Sequence, residues 1–224
     1  MSSSNRLRNT HSAFGGGRTI FNEAAKDFES NLFSVVGEVQ QELSNKYPQY
    51  NFIMQKRLSK YEVAEKLGRK TYNPENSKSF INPDGGILYV IKDGKKYAIL
   101  ISEAKKQGTN NERLKEGKKK QAQGNAIERA HKNYNEFYLY CKDLPYLPYV
   151  MFAFGCDFFQ GSSINDRLDA MTDYLPRNVN YVGKEKVATI YIREKEFTKQ
   201  EMYDRMKDVA IKSLEVLEKE IFNG

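Results

Sequence analysis

Of the 224 residues only two are cysteines, Cys141 and Cys156. Two are too few for a disulfide framework, and they lack the spacing of metal ligands, so they read as reduced thiols of a cytoplasmic protein. Tryptophan is absent, which decides nothing. No apolar run approaches the roughly 18 residues that a membrane-spanning helix needs. The first residues carry no apolar segment of the secretory-signal kind, so no leader is expected. No stretch rich in proline, glycine and serine divides the chain either. It therefore reads as one sizeable domain over residues 19–224, preceded by a basic, glycine-rich arm over residues 1–18 that is expected to be flexible.

What is present is positive charge. Lysine and arginine number 36 against 29 acids, a net charge of +7, which favours an anionic partner. The excess is local. Between Lys105 and Lys132 nine bases stand against three acids, Glu112, Glu116 and Glu128. Glycine, asparagine, glutamine and threonine interleave with the bases, which suits contact with phosphates and base edges better than a plain solvated helix face.

Periodicity supplies the elements. Apolar residues at helical spacing run from Phe21 to Leu43. Ser59-Lys-Tyr-Glu62 is a capping box for a short helix ending near Gly68. Gly86–Ile91 and Tyr97–Ser102 read as strands joined by a hairpin turn at Lys92-Asp-Gly-Lys95. A helix is expected over Ala126–Cys141, a buried strand over Tyr149–Phe154, and a short helix over Ser163–Tyr174. Lys186–Ile192 alternates as a strand, and a long helix closes the chain over Lys199–Phe222. This order predicts an α/β protein, a central mixed β-sheet flanked by helices.

Charges at the ends of the hairpin give the chemistry. Asp84 precedes its first strand, and Glu103 and Lys105 follow its second. Antiparallel pairing brings Asp84 beside Glu103. If the second strand continues, Glu103 and Lys105 share a face, since residues two apart point the same way. Two carboxylates that close repel each other unless a cation joins them, and oxygen ligands with room for water suit Mg²⁺. Lys105 can then orient or deprotonate a water, or stabilise a phosphate oxygen; a metal and a lysine suffice for phosphodiester hydrolysis. The bland alternative is that Pro-Asp-Gly-Gly is ordinary turn chemistry and Glu-Ala-Lys an ordinary strand end.

Several ordered motifs then carry a resemblance. Asn82-Pro-Asp-Gly-Gly-Ile87, Ile101-Ser-Glu-Ala-Lys105 with Gln107-Gly108, and Gly124-Asn-Ala-Ile-Glu-Arg129 with His131-Lys-Asn133 closely resemble the EcoRI-like type II restriction endonucleases, members of the PD-(D/E)xK nuclease superfamily. Ser4-Asn-Arg-Leu7, Gly37-Glu-Val39, Tyr47-Pro-Gln49, Pro148-Tyr-Val150 and Arg167-Leu-Asp169 extend it over most of the first 170 residues.

The resemblance implies the restriction-endonuclease core, a homodimer around double-stranded DNA, Mg²⁺-dependent cleavage leaving 5′ overhangs, and a cognate DNA methyltransferase in the same bacterial system. By position it implies a catalytic hairpin over residues 81–108, with Asp84, Glu103 and the Ala104 carbonyl as metal ligands and Lys105 as the catalytic lysine. It implies a recognition segment over residues 118–133, an extended piece running into a helix. There Asn125 and Arg129 would read adenines, Ala126 with Gly124 would approach a base edge, and Glu128 would meet the partner subunit. Asn125 and Glu128 also suit helix capping, which does not exclude base reading.

Arg167, in a second element over residues 163–175, stands where the family has a recognition arginine. A further family arginine three positions on is replaced by Ala170, which leaves the outer base pair open. GAATTC is the first expectation, then RAATTY, then CAATTG. The family's longer excursion around DNA is also reduced to Gln160-Gly-Ser-Ser163. Lys106, Lys118, Lys119, Lys120 and Lys132 are candidate phosphate contacts, with Arg6, Arg8 and Arg18 in the arm. Two other readings compete: a repair nuclease with the same metal site and no sequence preference, and a non-catalytic DNA-binding protein.

Overall fold

The computed structural model describes residues 17–68, 79–106, 110–117, 119, 124–155 and 189–223. Helix α1 spans Gly17–Lys46 and strand β1 Asn51–Gln55. Strand β2 (Leu58–Ser59) leads into helix α2 (Lys60–Lys66), and β3 (Phe80–Ile81) pairs back on β2. Strands β4 (Gly86–Lys92) and β5 (Lys95–Lys106) form the hairpin. Helices α3 (Asn110–Lys115) and α4 (Gly124–Tyr140) follow, then β6 (Tyr149–Phe154), β7 (Thr189–Arg193) and α5 (Lys199–Leu217), which ends in a π-helical turn over Glu218–Phe222.

The main sheet has the order β1-β4-β5-β6-β7. β1, β4 and β5 are antiparallel, whereas β5, β6 and β7 run parallel. The mixed sheet and flanking helices agree with the expected α/β class. The hairpin turns as its sequence requires: Asp93 and Gly94 both have positive φ (51° and 72°), which a two-residue turn between twisted strands demands. The capping box at Ser59 and Glu62 forms as read.

Helix α1 buries Leu32, Val35, Val36, Val39 and Leu43 on one stripe. α5 buries Met202, Met206, Val209, Ala210 and Leu214 beside it. Outside the apolar seam the two helices are tied by Lys199–Glu38 and by Lys207–Glu42 (2.5 and 3.3 Å). α4 covers the opposite face, where Tyr134 and Phe137 pack on Tyr149 of β6 with ring centroids 5.4 and 6.2 Å apart. Lys60 of α2 reaches Glu136 of α4 (3.1 Å) and fixes these two helices together.

Several elements differ from the sequence reading. α1 begins at Gly17, four residues before its apolar periodicity, so residues 17 and 18 of the expected arm are helical. The two-residue strands β2 and β3 were not expected. β1 was not anticipated; among its five residues only Phe52 is buried, so its pattern is weak. α3 lies inside the basic stretch, where polar composition hides a helix. α4 starts two residues earlier than its apolar periodicity, at Gly124. β5 runs on past Ser102 to Lys106 because β6 pairs with it in parallel from Ile101 to Lys106. The short helix expected over 163–174, residues 186–188 of the expected last strand and the arm up to residue 16 lie outside the described residues.

Candidate active site

The site grows from a turn. Gly86 N–H donates to Pro83 carbonyl (2.9 Å), closing a turn with Asp84 and Gly85 at its centre. Gly85 N–H donates to the Ser102 carbonyl (3.0 Å), so the turn lies flat against β5. β4 pairs with β5 only as far as Gly86 and Ser102. The next β5 donor on that edge, Ala104 N–H, therefore has no strand to meet. Asp84 replaces the missing strand, accepting from Ala104 N–H at Oδ2 (2.9 Å).

Because β5 continues, Glu103 and Lys105 fall on one face, as the spacing requires. The Lys105 ammonium donates to Asp84 Oδ2 (3.3 Å), to the Ala104 carbonyl (2.8 Å) and to Glu103 Oε1. Asn133 Nδ2, from α4, donates to the same Oε1 (3.2 Å). Glu103 is 1% exposed, and its other oxygen, Oε2, is buried without a hydrogen-bond partner among the described residues.

Burial pushes the Glu103 carboxyl above its usual value, Asp84 pushes the same way, and Lys105 opposes both. Burial pulls the Lys105 ammonium down, but Glu103 and Asp84 outweigh it and hold the ammonium above the ordinary lysine value. Tyr149 forms the floor; burial, then the two carboxylates, drives its phenol far upward, so it stays neutral.

Asp84, Glu103, the Ala104 carbonyl and Lys105 are thus brought to one point. The first three all turn an oxygen toward a single cationic group. Their chemistry fits a divalent ion: hard oxygen donors, two of them carboxylates, with one buried carboxylate oxygen bare. Among the described residues no three His, Cys, Asp or Glu side chains gather, so the carbonyl and water would have to complete the shell.

The other sequence candidates are more dispersed. Gly124, Asn125, Ala126, Glu128 and Arg129 occupy the first turns of α4; their backbone is helical from Gly124 onward rather than extended, and their side chains lie outside the description. Lys132 is exposed on the same helix, and Lys119 is exposed in the preceding loop. Lys106 ends β5, half-buried, with its ammonium 5.5 Å from the Phe154 ring centroid. Lys118, Lys120 and Arg167 lie outside the described residues. Asn133 received no role from sequence, although it ends the stretch His131-Lys-Asn133. Its partner lies 30 residues away, and no local signal marks such a contact.

A mixed sheet in which Pro-Asp leads into one strand and Glu-x-Lys lies near the end of its antiparallel neighbour defines a protein of the restriction-endonuclease-like fold. The family model described as "Restriction endonuclease EcoRI" matches residues 14–184. The chain belongs to the EcoRI family of type II restriction endonucleases. It is 32% identical to the type II restriction enzyme EcoRI of Escherichia coli, over 98% of this chain and 96% of that one. It is 30% identical to the type II restriction enzyme RsrI of Cereibacter sphaeroides, over 91% and 89%. The likeness thus continues past the point where the sequence motifs fade. No helix among the described residues is long and apolar enough to cross a membrane.

Proposed function

We propose that this enzyme is a Mg²⁺-dependent homodimer that hydrolyses duplex DNA at a palindrome centred on AATT, with GAATTC the first choice and RAATTY or CAATTG the alternatives. The observation that carries the proposal is the convergence of Asp84, Glu103 and the Ala104 carbonyl on one positive centre at the end of the hairpin. Asp84, Glu103 and Ala104 would hold the ion. Bound there, Mg²⁺ supplies positive charge to the phosphoryl group and makes water a stronger acid.

The rest falls to the chain. Lys105 carries a charge that can move from the carboxylates to a phosphate oxygen, or orient the attacking water. Tyr149 and the α4 aromatics keep bulk water from the floor. Asn125 and Arg129 would read adenine edges, whose donor and acceptor pattern fits their forks, while Gly124 and Ala126 allow close approach. Glu128 would meet the partner subunit. Arg167 would read the outer pair, and Lys106, Lys118, Lys119, Lys120 and Lys132 would hold phosphates. Two-fold protein symmetry then matches a two-fold site, each subunit cutting one strand and leaving four-base 5′ overhangs. A DNA methyltransferase would protect the host's own sites.

Digestion of phage DNA with Mg²⁺, followed by mapping of the ends, tests this. Discrete bands with AATT overhangs are expected; a smear would favour a nuclease without sequence preference. The Glu103→Gln protein should retain DNA binding and lose at least about 10²-fold in cleavage rate, the scale of one lost electrostatic contact to a transition state. Unchanged cleavage would remove Glu103 from the site.

A further inference from the structure

We propose that Asn133 is a positioning residue for Glu103: its amide holds one carboxylate oxygen so that the other is the one offered to the divalent ion. This rests on reading Asp84 and Glu103 as the metal carboxylates. The terminal torsion of a glutamate is broad and two-fold, so the side chain itself does not decide which oxygen points where. Hydrogen bonds decide. In this structure both donors, the Lys105 ammonium and Asn133 Nδ2, meet Oε1, and Oε2 is buried and bare.

The two donors are not equivalent. Lys105 divides its protons among Asp84, Ala104 and Glu103, and in the proposed reaction it is drawn toward a phosphate. Once it moves, Asn133 is the donor left on Oε1. An amide is also neutral. It orients the carboxylate without cancelling the charge that attracts the cation, which a second lysine or an arginine there would do. Donors of this kind, one shell outside a metal, typically govern affinity by about 10–100-fold.

The fold gives the amide a fixed origin. Asn133 lies in the middle of α4, whose Tyr134 and Phe137 are locked against Tyr149 and whose Glu136 is tied to Lys60. Asn125, Arg129 and Asn133 are spaced four apart and so share one stripe of that helix. Eight residues cover about 12 Å of axis. The segment assigned to base reading and the donor to Glu103 are therefore parts of one rigid rod.

The test is thermal melting of the full chain during titration with Mn²⁺, which reports ion binding without requiring cleavage. In the wild type the melting temperature should rise with Mn²⁺, and Glu103→Gln should abolish the rise. Asn133→Ala and Asn133→Leu, the second retaining side-chain bulk, should need about tenfold more Mn²⁺ for the same rise. Excess metal should then restore their cleavage rate. A purely structural asparagine would lower the melting temperature without moving the Mn²⁺ midpoint, and that result in either variant overturns the proposal. A wild-type protein whose melting ignores Mn²⁺ would overturn the metal-site reading beneath it, a distinguishable failure.

Discussion

Glu103 is a carboxylate with 1% exposure, and removing an ion from water costs several kcal/mol even after the protein relaxes. The ammonium of Lys105 and the amide of Asn133 offset part of that cost on one oxygen only. The other oxygen stays bare among the described residues, which supports the cation site proposed above. Gly85 shows how tightly this place is made. A Cβ there would lie 1.9 Å from Ser102 Oγ and 2.9 Å from Leu32 Cγ. The serine hydroxyl can rotate, but the leucine branch point belongs to α1 and is fully buried in the core. Gly85→Ala should therefore destabilise the protein by about 1–3 kcal/mol, as overpacking does, and shift Asp84 off Ala104 N–H. Urea denaturation and cleavage rate check the two effects, and a variant with unaltered stability would show that the turn has slack.

Strand β5 and helix α5 teach opposite lessons about elements. β5 was legible as a strand only to Ser102, because beyond it the alternation of Glu103, Ala104 and Lys105 resembles a polar loop. Its extension is imposed by β6, a partner 48 residues away along the chain for the Ile101–Tyr149 pair. α5 was legible throughout its length, since its apolar spacing needs no partner to be seen. Its start is fixed locally too: Thr198 and Glu201 form a capping box, and Arg193 of β7 forks onto Glu201, Nη1 donating to Oε1 and Nη2 to Oε2 (2.6 Å each). The Arg193 hydrogen bonds, followed by those from Thr198, lower the Glu201 carboxyl from 4.5 to about 2. A carboxyl depressed by folding contributes stability above its unfolded value and loses it as pH falls through the folded one. Wild-type stability should thus decline between about pH 4.5 and pH 2 more steeply than that of Glu201→Gln. Melting temperatures across that range check it; parallel curves would mean the fork is screened by solvent.

The whole molecule carries a net charge of +7, most of it supplied between Lys105 and Lys132, beside the carboxylate cluster. In sequence a basic stretch thus directly follows the acidic pair, an order that supports the proposed polyanionic partner. If two such subunits enclose one palindrome, the complex should sediment with the mass of two 25.9 kDa chains plus one DNA duplex. A monomeric complex that still nicks both strands at equal rates would contradict the symmetric arrangement.

The sequence by itself determined the class, the hairpin and its turn, the capped helix α2, the three ionisable groups and the family to which they belong. These are set by local spacing, by turn residues and by motifs a few residues long. Tertiary structure alone decided the reach of β5, the edge strand β1, the acceptance of Ala104 N–H by Asp84 and the amide of Asn133 on Glu103. Each of these joins groups far apart in the chain, where the pairing of strands and the burial of charge choose the partner.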